Sequence, residues 1–245
     1  MVVWPETALP FAVDPARPWP PSLPLPVPGV LGCTVREASD GALFNSALGV
    51  APDGSIAGRY DKHHLVPFGE YVPLRRLLPI ARLVPGTVEI QPGERIAPIG
   101  PRRRWGPLVC YDPAFAEVSR ARVSGGAEAL VNITNDGWYG LSGGPYQHRN
   151  FYVLRAIETG RWVARASNPG ISLFIDPHGR QHAATALGER TVALGEVQLR
   201  REQTLYTRVG GWPVAVAVAL SLSALLPPPG RLWRRQGSAR LGALR

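Results

Sequence analysis

Residues 61–73 read Asp61-Lys62-His63-His64-Leu65-Val66-Pro67-Phe68-Gly69-Glu70-Tyr71-Val72-Pro73, and they hold the only lysine of a 245-residue chain. Lys and Arg together number 27, so the other 26 are arginines. Arginine keeps its proton and presents a planar fork, whereas lysine is a compact charge whose pKa moves on burial. A lone lysine among arginines is therefore a candidate for chemistry, weighed against one surviving surface lysine. Two histidines, a glutamate and bracketing prolines and glycine share the segment. That is the composition of a shaped loop at a site more than of a solvated face.

The length allows one large domain or two small ones, and 45% apolar residues suffice for a core. The net charge of +9 is uneven. Residues 231–245 carry five arginines (Arg231, Arg234, Arg235, Arg240, Arg245) and no acid, so 9 − 5 leaves +4 for everything before them. The arginines are scattered, without the basic–aromatic stripe of a single-strand binder, so no nucleic-acid partner is expected. Cys33 and Cys110 are too few for a disulfide framework. Adjacent His63 and His64 lack metal-ligand spacing and there is no Cys-x-x-Cys, so neither metal nor cofactor is expected.

Working outward from the lysine loop, Leu43–Val50 and Ile56–Tyr60 flank Pro52-Asp53-Gly54 and predict a hairpin. Val30–Arg36 is a strand candidate. Residues 10–28 are a proline-rich loop, and Met1–Trp4 reads as the end of a strand running into Pro5-Glu6-Thr7. No charged and apolar leader precedes it. Downstream, Leu74–Leu83 suggests a short helix, and 84–106 a loop with weak strands. Gly106–Cys110 predicts a strand, followed by a helix over Ala114–Val123 that Gly125-Gly126 stops. Ala129–Ile133 predicts a buried strand, and residues 134–146 a polar, aromatic, glycine-rich loop. The spacing of Phe151, Leu154 and Ile157 predicts a helix over Gln147–Gly160 with these three on one apolar face. Trp162–Ser167, Ile171–Asp176 and Thr191–Gln198 read as strands, with Pro177-His178-Gly179 as a turn. The interleaving argues one layered α/β domain with a mixed sheet, over residues 1–208.

Residues 209–230 are uncharged. Their apolar part, Trp212–Leu226, would span ~23 Å as a helix, short of the ~30 Å bilayer core. A buried core helix is one reading. Trp212 at one end, with Trp233 and the arginine cluster at the other, favours a transmembrane helix over 209–230. The arginines then put the tail 231–245 in the cytoplasm and the body outside.

Cys110 ends a strand and precedes a helix, an arrangement that exposes a nucleophile beside backbone N–H groups. The plainer alternative is a small core cysteine. Glu6, just past a strand end, can take a thiol proton, or can be a surface or capping glutamate. Base, cation and nucleophile are the parts an acyl transfer requires.

These residues carry a resemblance. A strand-end Pro5-Glu6, Lys62 after a hairpin and Cys110 at a strand–helix junction resemble the Glu-Lys-Cys triad of the nitrilase (carbon–nitrogen hydrolase) superfamily. Val3 to Pro10, Tyr60 to Pro73, Cys110-Tyr111, Asn135 to Gly140, Gly144 to His148, Arg155 to Glu158 and Arg165 to Gly170 resemble the apolipoprotein N-acyltransferases more closely. The resemblance implies a nitrilase-like layered α-β-β-α sandwich plus one C-terminal transmembrane helix. It implies that Cys110 attacks a phospholipid acyl ester and becomes a thioester. Glu6 is the general base, and Lys62 with the Tyr111 N–H holds the oxyanion. The acceptor is the amine of diacylglyceryl-cysteine at a lipoprotein N-terminus. Glu70, Tyr111 and Asp112 support the site, and Asn135, Trp138, Tyr139 and His148 line it. The site implied is at the bacterial cytoplasmic membrane, with the catalytic domain on the extracytoplasmic side.

Two departures matter. Asp112-Pro113 stands where the family has Glu. The family's leading membrane domain, and the first strand and helix of its catalytic domain, have no counterpart here. The expectation is the C-terminal part of a longer product, with the missing membrane domain supplied in cis or in trans. The competing readings are a soluble nitrilase-like amidase, whose thioester goes to water, and an inactive fragment.

Overall fold

A computed structural model describes residues 1–14, 16, 27–74, 89–94, 97–100 and 104–225. The expected helix over 74–83 and the arginine tail 231–245 lie outside these, apart from Leu74. The chain divides into two compact units, Met1–Arg208 and Val209–Arg245.

The first unit contains two sheets. One has strand order β1 (Val2–Val3), β2 (Gly29–Arg36), β3 (Leu43–Val50) and β4 (Ile56–Asp61). β1 runs parallel to β2 and the rest is antiparallel. The β3–β4 hairpin closes where expected. Asp53 accepts from the Ser55 N–H and hydroxyl, and Gly54 takes φ 82°. The other sheet has the order β5 (Trp105–Val109), β6 (Ala129–Asn135), β7 (Val163–Asn168), β8 (Leu173–Ile175) and β9 (Gln181–His182). Its first three strands are parallel, connected through α1 (Ala116–Ser124) and α2 (Gly144–Thr159).

Alternation along the strands sets the layers. Val30, Ala47 and Tyr60 of the first sheet meet Val109, Val131 and Ile133 of the second in a core between the sheets, and Cys110 belongs to it. The far face of the second sheet packs Leu108, Leu130, Val163 and Leu173 on Val118 and Val123 of α1 and Tyr152 and Ala156 of α2. The far face of the first sheet buries Leu31, Cys33, Val35, Leu48 and Val50 with Leu9 and Val13. Among the described residues no helix joins that cluster, so the described layers are α-β-β rather than the expected α-β-β-α. Each buried Leu, Ile or Val contributes roughly 1.5–3 kcal/mol, so three such clusters define the sandwich.

Three expectations need correction. The predicted apolar face of α2 points outward: Phe151, Leu154 and Ile157 are 36%, 50% and 48% exposed. His148, Tyr152, Arg155, Ala156 and Thr159 are buried instead. Their hydrogen bonds satisfy the polar atoms, which hydrophobic spacing does not register. Thr191–Gln198 forms no strand among the described residues, because alternation alone supplies no partner. The helix expected at Ala114 starts at Ala116, after a 3₁₀ turn over Asp112–Ala114.

In the C-terminal unit, the stretch 209–230 is not one helix from its first residue. α3 (Leu205–Val209) ends there, and after Gly210-Gly211 comes α4 (Trp212–Leu225). α4 has 14 residues, ~21 Å at 1.5 Å each. Ser221 and Ser223 return their hydroxyls to the helix carbonyls of Ala217 and Leu220, so its surface is apolar. Among the described residues no helix is long and apolar enough to cross a membrane.

Candidate active site

Strand ends carry the candidate residues. Glu6 follows β1, Lys62 follows β4, Cys110 follows β5 and Asn135 closes β6. The Glu6 turn lies directly on β2, where a Cβ at Gly32 would reach the Glu6 Cα at 2.5 Å. Glu6 is buried there. Its Oε1 accepts from Asn45 Nδ2 at 2.6 Å, and its Oε2 from the Asn135 N–H at 2.7 Å. Burial pushes the Glu6 carboxyl above its ordinary value, against the pull of Lys62 and Asn45.

Lys62 is 1% exposed. Its ammonium donates to Glu70 Oε2 at 2.7 Å and lies 3.9 Å from Glu6 Oε1. Burial works against this charge, but Cys110, Glu6 and Glu70 outweigh it and hold the pKa above the usual lysine value. Glu70 is in turn held by Asn45 Nδ2 at 2.7 Å and by the Val66 N–H at 2.8 Å. One Asn45 amide therefore separates and neutralises two carboxylates on either side of one ammonium. Removing a partner from such a buried pair typically costs 3–5 kcal/mol.

Cys110 adopts φ 45°, left-handed for a non-glycine residue, a conformation that holds roughly 1–3 kcal/mol of strain. Burial, then Glu6, pushes its thiol up to about 12, while Lys62 and a hydrogen bond from Thr134 oppose the rise. The sulfur thus rests as a thiol among the charges of Glu6, Lys62 and Glu70, and it needs a base to become a nucleophile.

The other expected residues divide. Asp112 is fully buried away from solvent and accepts from Tyr60 OH at 2.7 Å and the Val109 N–H at 2.8 Å. It ties the end of β4 to the Cys110 turn. Tyr111 packs edge-on to Phe115. Trp138 is 78% exposed. Tyr139 is part-exposed, its ring centroid 5.6 Å from that of His148. His148 is buried, and its bonds go to Asp136 and to the Cys110 carbonyl. Asn135 caps its own 3₁₀ turn by accepting from the Gly137 N–H, so it presents its backbone N–H to Glu6.

Sequence reading missed Asn45, Asp136 and Tyr152. A polar Asn45-Ser46 pair inside an apolar strand was the available signal for the first. A separate cleft of about 830 Å³ runs along Glu37, Asp40, Arg59, Asp61, Glu89 and Glu94, and none of Glu6, Lys62 or Cys110 lines it.

A two-sheet sandwich with a buried Glu-Lys pair beside a strand-end cysteine defines the class: the chain belongs to the carbon–nitrogen hydrolase family, whose model matches residues 1–206. Within that class it is 40% identical, over 237 residues, to the apolipoprotein N-acyltransferase of Geobacter metallireducens, covering 92% of this chain and 45% of that protein. It is 37% identical over 248 residues to the apolipoprotein N-acyltransferase of Gloeobacter violaceus, covering 96% and 47%. The chain spans about half the length of the curated relatives it matches. A solved carbon–nitrogen hydrolase from Helicobacter pylori G27 superposes with TM-score 0.53 at 21% identity, over 67% of this chain and 60% of that one. At that identity the likeness concerns the fold.

Proposed function

We propose that this chain carries the catalytic domain of an apolipoprotein N-acyltransferase, moving a fatty acyl group from phospholipid to a lipoprotein N-terminal amine through a Cys110 thioester. The observation that carries the reading is the buried Glu6–Lys62–Glu70 cluster, whose charges act on the Cys110 thiol. The relatives' names supply the substrate class.

In the first half-reaction Glu6 takes the thiol proton as sulfur adds to the ester carbonyl. The oxyanion rests on Lys62 and the Tyr111 N–H. Collapse expels the glycerol oxygen, which takes the proton from Glu6 and leaves a thioester. The incoming amine then adds, its proton passes to Glu6, and the returning thiol takes it back. A thiol near 12 does not ionise ahead of attack, so proton removal and S–C bond formation proceed together. Lys62 stays charged throughout, which suits a fixed oxyanion partner rather than a proton carrier. The uncharged stretch 209–230 is in this reading the membrane-facing part, with the catalytic domain on the extracytoplasmic side.

Intact mass after incubation with phospholipid tests the proposal. The expected result is one acyl chain's mass on the chain, absent in Cys110→Ala and in Lys62→Arg. Adding a lipopeptide with a free amine should discharge it as an amide. Discharge to water alone would identify a hydrolase, and no adduct at all would overturn the reading.

A further inference from the structure

We propose that His148 is a positioning residue for the oxyanion site, a buried ring that donates from both nitrogens and clamps the Cys110–Tyr111 peptide against Asp136. The inference rests on the reading of Cys110 as nucleophile and adds a part to it.

The Cys110 carbonyl oxygen receives two side-chain donors from α2: His148 Nε2 at 2.9 Å and Tyr152 OH at 2.8 Å. The other ring nitrogen, Nδ1, lies 2.8 Å from Asp136 Oδ1. Asp136 Oδ2 accepts from Arg165 at 2.7 Å, and Arg165 also donates to the Ile171 carbonyl. Tyr152 OH at 3.2 Å and Arg165 Nη2 at 3.5 Å complete the polar surroundings of the ring. Burial pushes the Asp136 carboxyl up, but the bonds from His148 and Arg165 outweigh it and hold its pKa down at about 2. Asp136 is therefore an ionised acceptor, and a peptide carbonyl only accepts. A ring bonded to both carries a proton on each nitrogen.

The consequence lies in the geometry of one peptide. The Cys110 carbonyl and the Tyr111 N–H belong to the same plane and point in opposite directions. Two donors pulling on the carbonyl fix the direction of that N–H and polarise it toward the developing oxyanion. They also hold Cys110 at φ 45°. His148 touches neither Glu6, Lys62 nor the sulfur by any hydrogen bond described, so its effect falls on the transition state rather than on binding.

Two measurements test this. In wild-type protein labelled with ¹⁵N-histidine, the His148 resonance, assigned by its loss in His148→Gln, should show both ring nitrogens protonated at neutral pH. A neutral ring overturns the proposal whether or not the chain transfers acyl groups. In acyl transfer from phospholipid, His148→Phe should lower kcat at least about tenfold with KM within about twofold of wild type. His148→Gln, keeping one donor, should recover part of the loss. Unchanged kcat, or a change confined to KM, overturns it. If wild type forms no thioester, the function proposed above fails while the ring measurement still decides this inference.

Discussion

At the scale of single residues, the site is a set of buried charges that neutralise one another. Lys62 lies against two carboxylates, and Asp136 lies against Arg165 and His148. Asp136 gives a pH signature. Its pKa falls from 3.8 to about 2 on folding, so its stabilisation is fully present above about pH 4 and is lost as pH falls toward 2. The amount is roughly 2 kcal/mol, from 1.36 kcal/mol per unit of pKa. Urea denaturation of Asp136→Asn between pH 7 and 2.5 should show a deficit at pH 7 that narrows in acid; a constant deficit would mean that the carboxylate's charge is irrelevant. Lys62 was legible because it is the single lysine in the chain. Asn45 was not, since an asparagine in a strand gives no hint that two distant glutamates meet at its amide.

Elements bring these residues within reach. β2 accepts the Glu6 turn only because Gly32 has no side chain. Gly32→Ala should displace that turn, lowering stability by about 1–3 kcal/mol and acylation further still, as read by thermal unfolding and by the intact-mass assay. Wild-type stability with full acylation would show that the turn adjusts freely. α2 reverses its expected orientation because the polar groups of His148, Tyr152 and Arg155 find carbonyl partners at the Cys110 turn. Leu154→Glu should therefore change stability by no more than about 0.5 kcal/mol, while Ala156→Leu, at a fully buried position, should cost about 1–3 kcal/mol. Equal costs would place the apolar face inward after all.

For the molecule as a whole, the sandwich assembles the site. Glu6, Lys62 and Asn45 come from the first sheet and its connections, Cys110 and Asn135 from the second, and the core between the sheets holds them together. The C-terminal unit contributes an uncharged helix whose Val216, Leu220 and Leu225 side chains are exposed. In the proposed reading this stretch meets lipid. The double substitution Val216→Asp with Leu220→Asp, each change worth roughly 2.5–3.5 kcal/mol against insertion, should lower co-sedimentation with phospholipid vesicles at least tenfold. Unaltered sedimentation would remove 209–230 from the membrane contact.

The sequence by itself determined the strands around the hairpin, the turn at Asp53-Gly54, the helices flanking β6 and the identity of Glu6, Lys62, Glu70 and Cys110. These follow from local spacing, turn chemistry and an anomalous residue. Only the tertiary structure decided which face of α2 is buried, that 191–198 stays unpaired among the described residues, and that Asn45, Asp136 and His148 belong to the site. The physical reason is that a polar group's fate depends on whether a partner arrives from elsewhere in the chain. Hydrophobic periodicity records burial of apolar surface and says nothing of hydrogen bonds made across long separations.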